Sequence, residues 1–416
     1  MRDLYLGIDV GTSGVRAIVI DQDRAVVAEA KSAMTDHGDN HRSPRVWQSA
    51  TELVVRQVLS AIDPTLVRAL AVDGTSGTMI ALDRDGQPLG DGVMYNDPCT
   101  NHSLIHQIST ISPETTAARG ASSALARAVE LVATYTPDRV VHQADWIAML
   151  FGAPVVTDEN NALKTGYDPV TGDWPQWIAQ VIDPAILPPV VPAGTRVGTV
   201  GANSYGLDPN CAIVAGTTDG CASFLATGAD QPGAGVTALG TTMTIKLLSD
   251  KPIFAPGYGI YSHRILGLWL AGGASNTGGN VIKAEFPDTN IDAISDEIDS
   301  ESDIDLDYYP LKQPGERFPI NDPGLLPRLG PRPVSDADHL HGIFQGIAKI
   351  EALAYRRLAE LGAPRLTSVR AVGGGAGNAT WTRIRERHLG VPMVAAASGE
   401  AAFGTALLAM VGPARG

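Results

Sequence analysis

Residues 4–20 read LYLGIDVGTSGVRAIVI, two apolar, β-branched runs around a centre of Asp9, Gly11, Thr12, Ser13 and Gly14. Runs of this kind, separated by a glycine turn, predict a β-hairpin. A plain turn needs Gly or Asn for its positive φ values and gives Asp9 no purpose at the end of a buried strand. The theme returns at 236–248, VTALGTTMTIKLL, where Gly240 and Thr241 lie between another pair of apolar runs. A strand–turn–strand unit used twice predicts two sheet domains, placed at residues 1–230 and 231–416.

Length supports that division, since 416 residues exceed the usual size of about 150 per domain. Sparse aromatics (6%) with 45 Gly and 28 Pro suit the many tight turns of an α/β scaffold. The net charge of -14 comes with no basic stripe, which excludes nucleic acid as a partner. Acidity does not exclude an anionic substrate, because backbone N–H groups and a metal hold phosphates as well as Lys does. Three scattered cysteines (Cys99, Cys211, Cys221) argue against a disulfide framework. No apolar run approaches the ~20 residues that span a bilayer. The opening residues form no charged-then-apolar leader. The expectation is a cytoplasmic protein with no membrane partner, monomeric or homodimeric.

Along the first quarter, the hairpin is followed by an extended segment at 25–33 and a helix at 46–62. Apolar spacing at Leu53, Val54, Val58 and Leu59 marks that helix. Strands at 68–74 and 78–83 follow, and the order predicts a mixed sheet with a helix on it. Residues 100–161 read as helical, 184–192 as a loop, 211–216 as a buried strand and 221–228 as its helix. Near the end, GGGAGN (373–378) precedes a polar helix, and EAAFGTALLAM (400–410) is a closing apolar one.

Four stretches carry chemistry. In DVGTSG the glycines let backbone approach a ligand, and successive N–H groups form an anion nest. A carboxylate beside phosphate repels it unless a divalent cation lies between, and Mg²⁺ commonly does so through its waters. Arg16 adds a positive group. Read alone, the stretch leaves a plain turn open. In AGTTDGCASFL (215–225), Asp219 ends a strand and opens a helix, where it serves a substrate or merely caps. LGTT (239–242) and AVGGGAGN (371–378) are bare-backbone turns, with no Walker A pattern anywhere.

Taken in order, these stretches resemble the FGGY carbohydrate kinases of the actin-like ATPase superfamily, from IDVGTSGVRAI to EAAFGTALLAM. DGTSGT (73–78), ADWIAMLFG (144–152) and TDENNALKTGYDPVTGDW (157–174) are further landmarks. Within that family the chain looks most like short ketose kinases of cyanobacterial and plant type. The resemblance implies an α/β fold of two actin-like (ribonuclease H-like) domains, mixed sheets flanked by helices, with an interdomain cleft. It implies ATP and Mg²⁺ as cofactors and a small ketose as substrate, D-ribulose first and D-xylulose next. Carried over by position, Asp9 matches the holder of the Mg²⁺ shell. Gly11, Thr12 and Ser13 match the first phosphate loop, and Arg16 its arginine. Asp219 matches the general base, near the metal and the sugar. Gly240 and Thr241 match the second phosphate loop, and Gly373, Gly374 and Asn378 the adenosine loop.

A sugar hydroxyl is a poor nucleophile near neutral pH, so a base such as Asp219 must take its proton while charge stabilisation does the rest. The chain departs from the family on the sugar side. Small residues Thr75-Ser76-Gly77 stand where many members have a bulkier polar group, and Pro98-Cys99 follows Asn96-Asp97 where many have an Arg. That leaves room for Ser76 and Asp73 to bond sugar hydroxyls. A nucleotide-binding regulator or ATPase of the same fold is the competing reading. A kinase for a polyol or a seven-carbon ketose is another. Cys99, His102 and His106 have ligand-like spacing but no fourth partner nearby in sequence. The seven carboxylates of 296–307 read as a solvated surface.

Overall fold

Strand β1 (Leu4–Val10) turns through residues 11–13 into β2 (Gly14–Asp21), and β3 (Val26–Ala33) completes an antiparallel meander. Helix α1 (Pro44–Ser60) then carries the chain to β4 (Val67–Gly74), which lies parallel to β1. Pro44 opens α1, where its missing N–H costs nothing. Val54, Val55, Val58 and the indole of Trp47 pack on Leu6, Ile8, Val10 and Val15 of the sheet. Leu53, expected in that stripe, is exposed. The computed structural model describes residues 2–412.

Two short strands extend the sheet, β5 (Arg196–Thr199) and β6 (Ala212–Thr218), in the order β3-β2-β1-β4-β6-β5. Strand β6 is parallel to β4 and leads directly into α5 (Asp219–Ala226). The segment expected to be wholly helical, 100–161, holds α2 (His102–Ile111), α3 (Ala124–Tyr135) and α4 (Gln143–Met149). It also holds a strand at Arg139–His142, which pairs with Met79–Leu82 in a separate two-stranded ribbon. Both strands are short and buried, and four-residue apolar runs give no helix–strand contrast.

Residues up to Ala226, His263–Gly267 and those from Glu400 onward form one unit; Thr227–Ser262 and Leu268–Gly399 form the other. The expected division at 230 places the closing helix with residues 231–416; by packing, it groups with the first unit. Helix α8 (Ala401–Val411) is apolar on nearly every side, so it needs burial all round. It finds that against β1 and α5, where Gly7 and Gly404 let the backbones touch. A Cβ on Gly7 would collide with the Ala402 carbonyl oxygen, and one on Gly404 with that of Ala222. Ile18 and Ile20 on the same face of the sheet pack on Ala402, Phe403 and Ala406.

The second unit repeats the design. Hairpin β7 (Ala234–Leu239) and β8 (Met243–Ser249) is antiparallel, β8 pairs with β9 (Leu268–Ala274), and β10 (Ser368–Val372) runs parallel to β7. The 25-residue α6 (Asp336–Glu360) and α7 (Ala379–Leu389) pack together on this sheet. Phe344 and Trp381 stack between them with ring centroids 4.7 Å apart. Among the described residues no helix is long and apolar enough to cross a membrane.

Candidate active site

Parallel pairing sets Asp9 at the C-terminal end of β1 directly beside Asp73 of β4. In the next parallel strand, β6, Thr217 lies beside Asp73, the strand ends at Thr218, and Asp219 follows as the first residue of α5. Three carboxylates thus gather where adjacent parallel strands end, the position at which α/β sheets bind ligands. Asp73 is completely buried, and one of its oxygens accepts a hydrogen bond from the Thr405 hydroxyl of α8. Its other oxygen, Oδ1, has no hydrogen-bond donor apart from what a proton shared with Asp9 supplies. Burial, then the Asp9 charge, raises the Asp73 carboxyl well above the usual range. Burial pushes Asp9 up to about 6, opposed by its hydrogen bond to Asp73. Both causes favour the neutral form of Asp73, which lies within hydrogen-bonding reach of Asp9. Expected to bond a sugar hydroxyl, Asp73 is fully buried beneath α8 in this structure.

Asp219 is half-buried, and its Oδ1 accepts the Gly220 N–H at 2.7 Å. The Gly11–Gly14 turn stands over Asp9. Gly11 N–H closes the turn on the Gly14 carbonyl at 3.0 Å, so it is not a free anion donor. The Ser13 carbonyl anchors the turn by accepting Met34 N–H at 2.9 Å. Among the described residues the Thr12 and Ser13 amides have no protein acceptor. Arg16 is exposed and ion-paired to Glu400.

On the sugar side, Thr75–Thr78 form a turn closed by Thr78 N–H to the Thr75 carbonyl at 3.2 Å. Arg127 of α3, 1% exposed, donates to the carbonyls of Gly77 (3.2 Å), Tyr95 (2.5 Å), Ser122 (3.1 Å) and Asp97 (3.2 Å). Gln143 Oε1 accepts from Thr75 Oγ1 at 3.0 Å. Two buried polar atoms beside this turn, Ser76 Oγ and Gln143 Nε2, have no partner in the protein. Unpaired polar atoms of this kind are costly, and ligand hydroxyls would relieve them.

In the second unit, the turn holding Gly240 and Thr241 is exposed, and its Gly240 carbonyl accepts Gly279 N–H at 2.9 Å. Gly373 has φ +85, and a Cβ there would meet the Leu239 carbonyl oxygen at 2.8 Å. The glycine run at 373–377 therefore lies against the end of β7, beside the 239–242 turn. Asn378 caps α7 by accepting Trp381 N–H at 2.8 Å. Its Nδ2 donates to Asp292 Oδ1 (2.9 Å) and Ser295 Oγ (2.8 Å). The Asn378 amide, expected to touch adenosine, directs both its N–H groups to the protein in this structure.

Sequence reasoning missed Thr405, Glu400, Arg127 and Gln143. Each meets the site only through tertiary packing; Gln143 does follow a strand end, at the start of α4, but that strand lies in a segment whose sequence reads as helical. As for metal, among the described residues no three acidic, His or Cys side chains form a cage. Asp9 and Asp219 offer hard oxygen donors, which fits Mg²⁺ held by one or two carboxylates, its own waters and substrate phosphates.

Residues 4–120 match the N-terminal domain of the FGGY family of carbohydrate kinases, and residues 235–412 its C-terminal domain. The chain is 23% identical over 281 residues to a xylulose kinase of Haemophilus influenzae, covering 60% of this chain and 57% of that one. It is 25% identical over 348 residues to the human FGGY carbohydrate kinase domain-containing protein, covering 70% and 62%. The chain thus spans little more than half the length of these relatives. The crystal structure of xylulose kinase from Rhodospirillum rubrum shares the fold, with a TM-score of 0.83 at 22% identity over 99% of this chain and 90% of that one.

Proposed function

Because this chain belongs to the FGGY family of carbohydrate kinases, we propose that it transfers the γ-phosphoryl group of ATP to a terminal hydroxyl of a small ketose, D-ribulose first and D-xylulose next. The observation that carries this reading is the meeting of Asp9, Asp73 and Asp219 at the ends of β1, β4 and β6 beside an anion-type turn. Asp219 is the general base: a half-buried carboxylate at a strand end accepts the hydroxyl proton as the bond to phosphorus develops. Asp73 orients Asp9 through their shared proton. The Thr12 and Ser13 amides and the Arg16 guanidinium receive the phosphates. The glycine turns at 240–241 and 373–374 receive the nucleotide's remainder. Asp9 and Asp219 would hold Mg²⁺, which when bound offsets negative charge on the transferring phosphoryl group.

Ser76 Oγ and Gln143 Nε2 are the sugar-hydroxyl partners on this reading, with Arg127 holding the turn that presents Ser76. The small side chains of 75–77 favour an acceptor that brings its own polar groups close to the backbone. The test is ADP release measured with and without a panel of ketoses and polyols. Stimulation by D-ribulose above D-xylulose supports the assignment. A flat basal rate across the panel rejects it in favour of an ATPase of the same fold.

A further inference from the structure

Strand register sets four charged residues in one line across the first sheet. Asp73 of β4 faces Asp9 of β1, Asp9 faces Arg16 of β2, and Arg16 faces Lys31 of β3. Side chains directly opposite across a ladder share a face, so the charges form a row of two carboxylates and two cations. That face is the one covered by α8, since Thr405 bonds Asp73 and Glu400 bonds Arg16. Ala28 and Ala30, which alternate with Lys31, pack on the opposite core beneath α1. The row grades from burial to exposure. Asp73 is fully buried, Asp9 half-buried, and Arg16 and Lys31 exposed.

Two like charges side by side on a ladder destabilise it unless an anion lies between them. Glu400 provides one for Arg16. Among the described residues Lys31 has no carboxylate within ion-pair distance, although Glu29 sits two residues away on its own strand. Arg16 and Lys31 both line a cavity of about 460 Å³ that also touches Asp9, Gly11, Ser13 and Asp36. With Glu400 and Glu29 they line an adjoining hollow of about 310 Å³. A space walled by two cations and the free Ser13 amide, with the carboxylates of Asp9 and Asp36 at its edge to favour a divalent ion, fits a metal-bound polyphosphate.

We propose that Lys31 is a second phosphate-binding cation acting beside Arg16, and that Glu400 occupies Arg16 until the polyphosphate displaces it. The inference rests on the reading of the Gly11–Gly14 turn as a phosphate loop. The division of labour follows from the side chains. Arg16 offers a planar fork to two phosphate oxygens, whereas Lys31 is a flexible point charge that reaches the outer end of the anion.

Calorimetric titration of Mg-ATP, Mg-tripolyphosphate and adenosine into wild type, K31Q, K31R and E400Q tests this. K31Q is expected to bind both polyphosphates about five- to tenfold more weakly, with a flatter salt dependence, and K31R to fall within about twofold of wild type. Adenosine affinity should not move. E400Q is expected to bind tripolyphosphate more tightly, having lost the competing carboxylate. Equal tripolyphosphate affinity in K31Q and wild type overturns the Lys31 assignment, as does failure of wild type to bind tripolyphosphate. Weaker binding by E400Q overturns the placeholder role. Wild-type ADP release with ketoses, run in parallel, separates the two readings. No ketose response together with a K31Q binding defect rejects the kinase and keeps the cation. A ketose response with unaltered K31Q binding does the reverse.

Discussion

Asp158 illustrates how much a single buried carboxylate governs near the site. It accepts the Asn160 and Asn161 amides at 2.8 and 3.1 Å, plus Asn161 Nδ2 at 2.6 Å, capping the short helix Glu159–Ala162. Burial, reinforced by the nearby Asp145 charge, still pushes its carboxyl from the ordinary 3.8 up to about 6. A carboxyl whose folded value lies above its unfolded one binds its proton more tightly in the native state. Its contribution to stability is therefore full below about pH 4 and is lost as pH rises through 6. The loss amounts to about 3 kcal/mol over that window. D158N lacks this titration, so its urea stability relative to wild type should rise steadily from pH 4 to pH 6.5 and then level off. A pH-independent difference between the two proteins contradicts the assignment.

Between elements, the second unit is tied by one buried ion pair. Arg385 of α7 donates through Nε and Nη2 to both oxygens of Glu351 on α6, each at 2.7 Å. Glu351 also accepts the Thr237 hydroxyl of β7 at 2.5 Å, so three elements meet on one carboxylate. Both charges are fully buried. Removing one partner strands the other, so E351A is expected to destabilise the protein by about 3–5 kcal/mol. Replacing both residues by apolar ones of similar volume should recover most of it. Thermal or denaturant unfolding checks this, and equal losses in the single and double variants would contradict it. Elements of this kind were only partly legible in the sequence. Strands β1, β2, β4 and β6 announce themselves by apolar runs with Gly, Thr or Asp at or next to their ends. Their parallel pairing does not, because Asp9 and Asp73 become neighbours only through a crossover of some sixty residues. The cap that Asn378 makes on α7 is local in sequence, but the two bonds of its Nδ2 go to Asp292 and Ser295, more than eighty residues away, which no local pattern announces.

At the scale of the whole chain, the repeat noticed in two Gly-Thr turns proves to be a repeat of sheets. Each unit sets an antiparallel hairpin beside a parallel strand, β1–β2 with β4 and β7–β8 with β10. The exception to that symmetry is α8, whose return to the first unit brings Thr405 and Glu400 to the carboxylate row. An apolar helix states its need for burial in its sequence but not its partner, which Gly7 and Gly404 select by close approach. The net charge of -14 is no obstacle to an anionic substrate when cations and amides are concentrated at one strand row.

Everything proposed for the reaction depends on the half-buried carboxylate that opens α5. The most direct measurement is ketose-dependent ADP formation by D219N, with Mg-ATP affinity measured on the same preparation. A proton acceptor positioned there contributes on the order of 10²–10⁴-fold to such a step. The expected result is loss of sugar-stimulated turnover by at least that lower bound, while Mg-ATP still binds, more weakly for the loss of one of the two carboxylates that would hold the metal. Turnover retained at the wild-type rate would contradict the account at its centre.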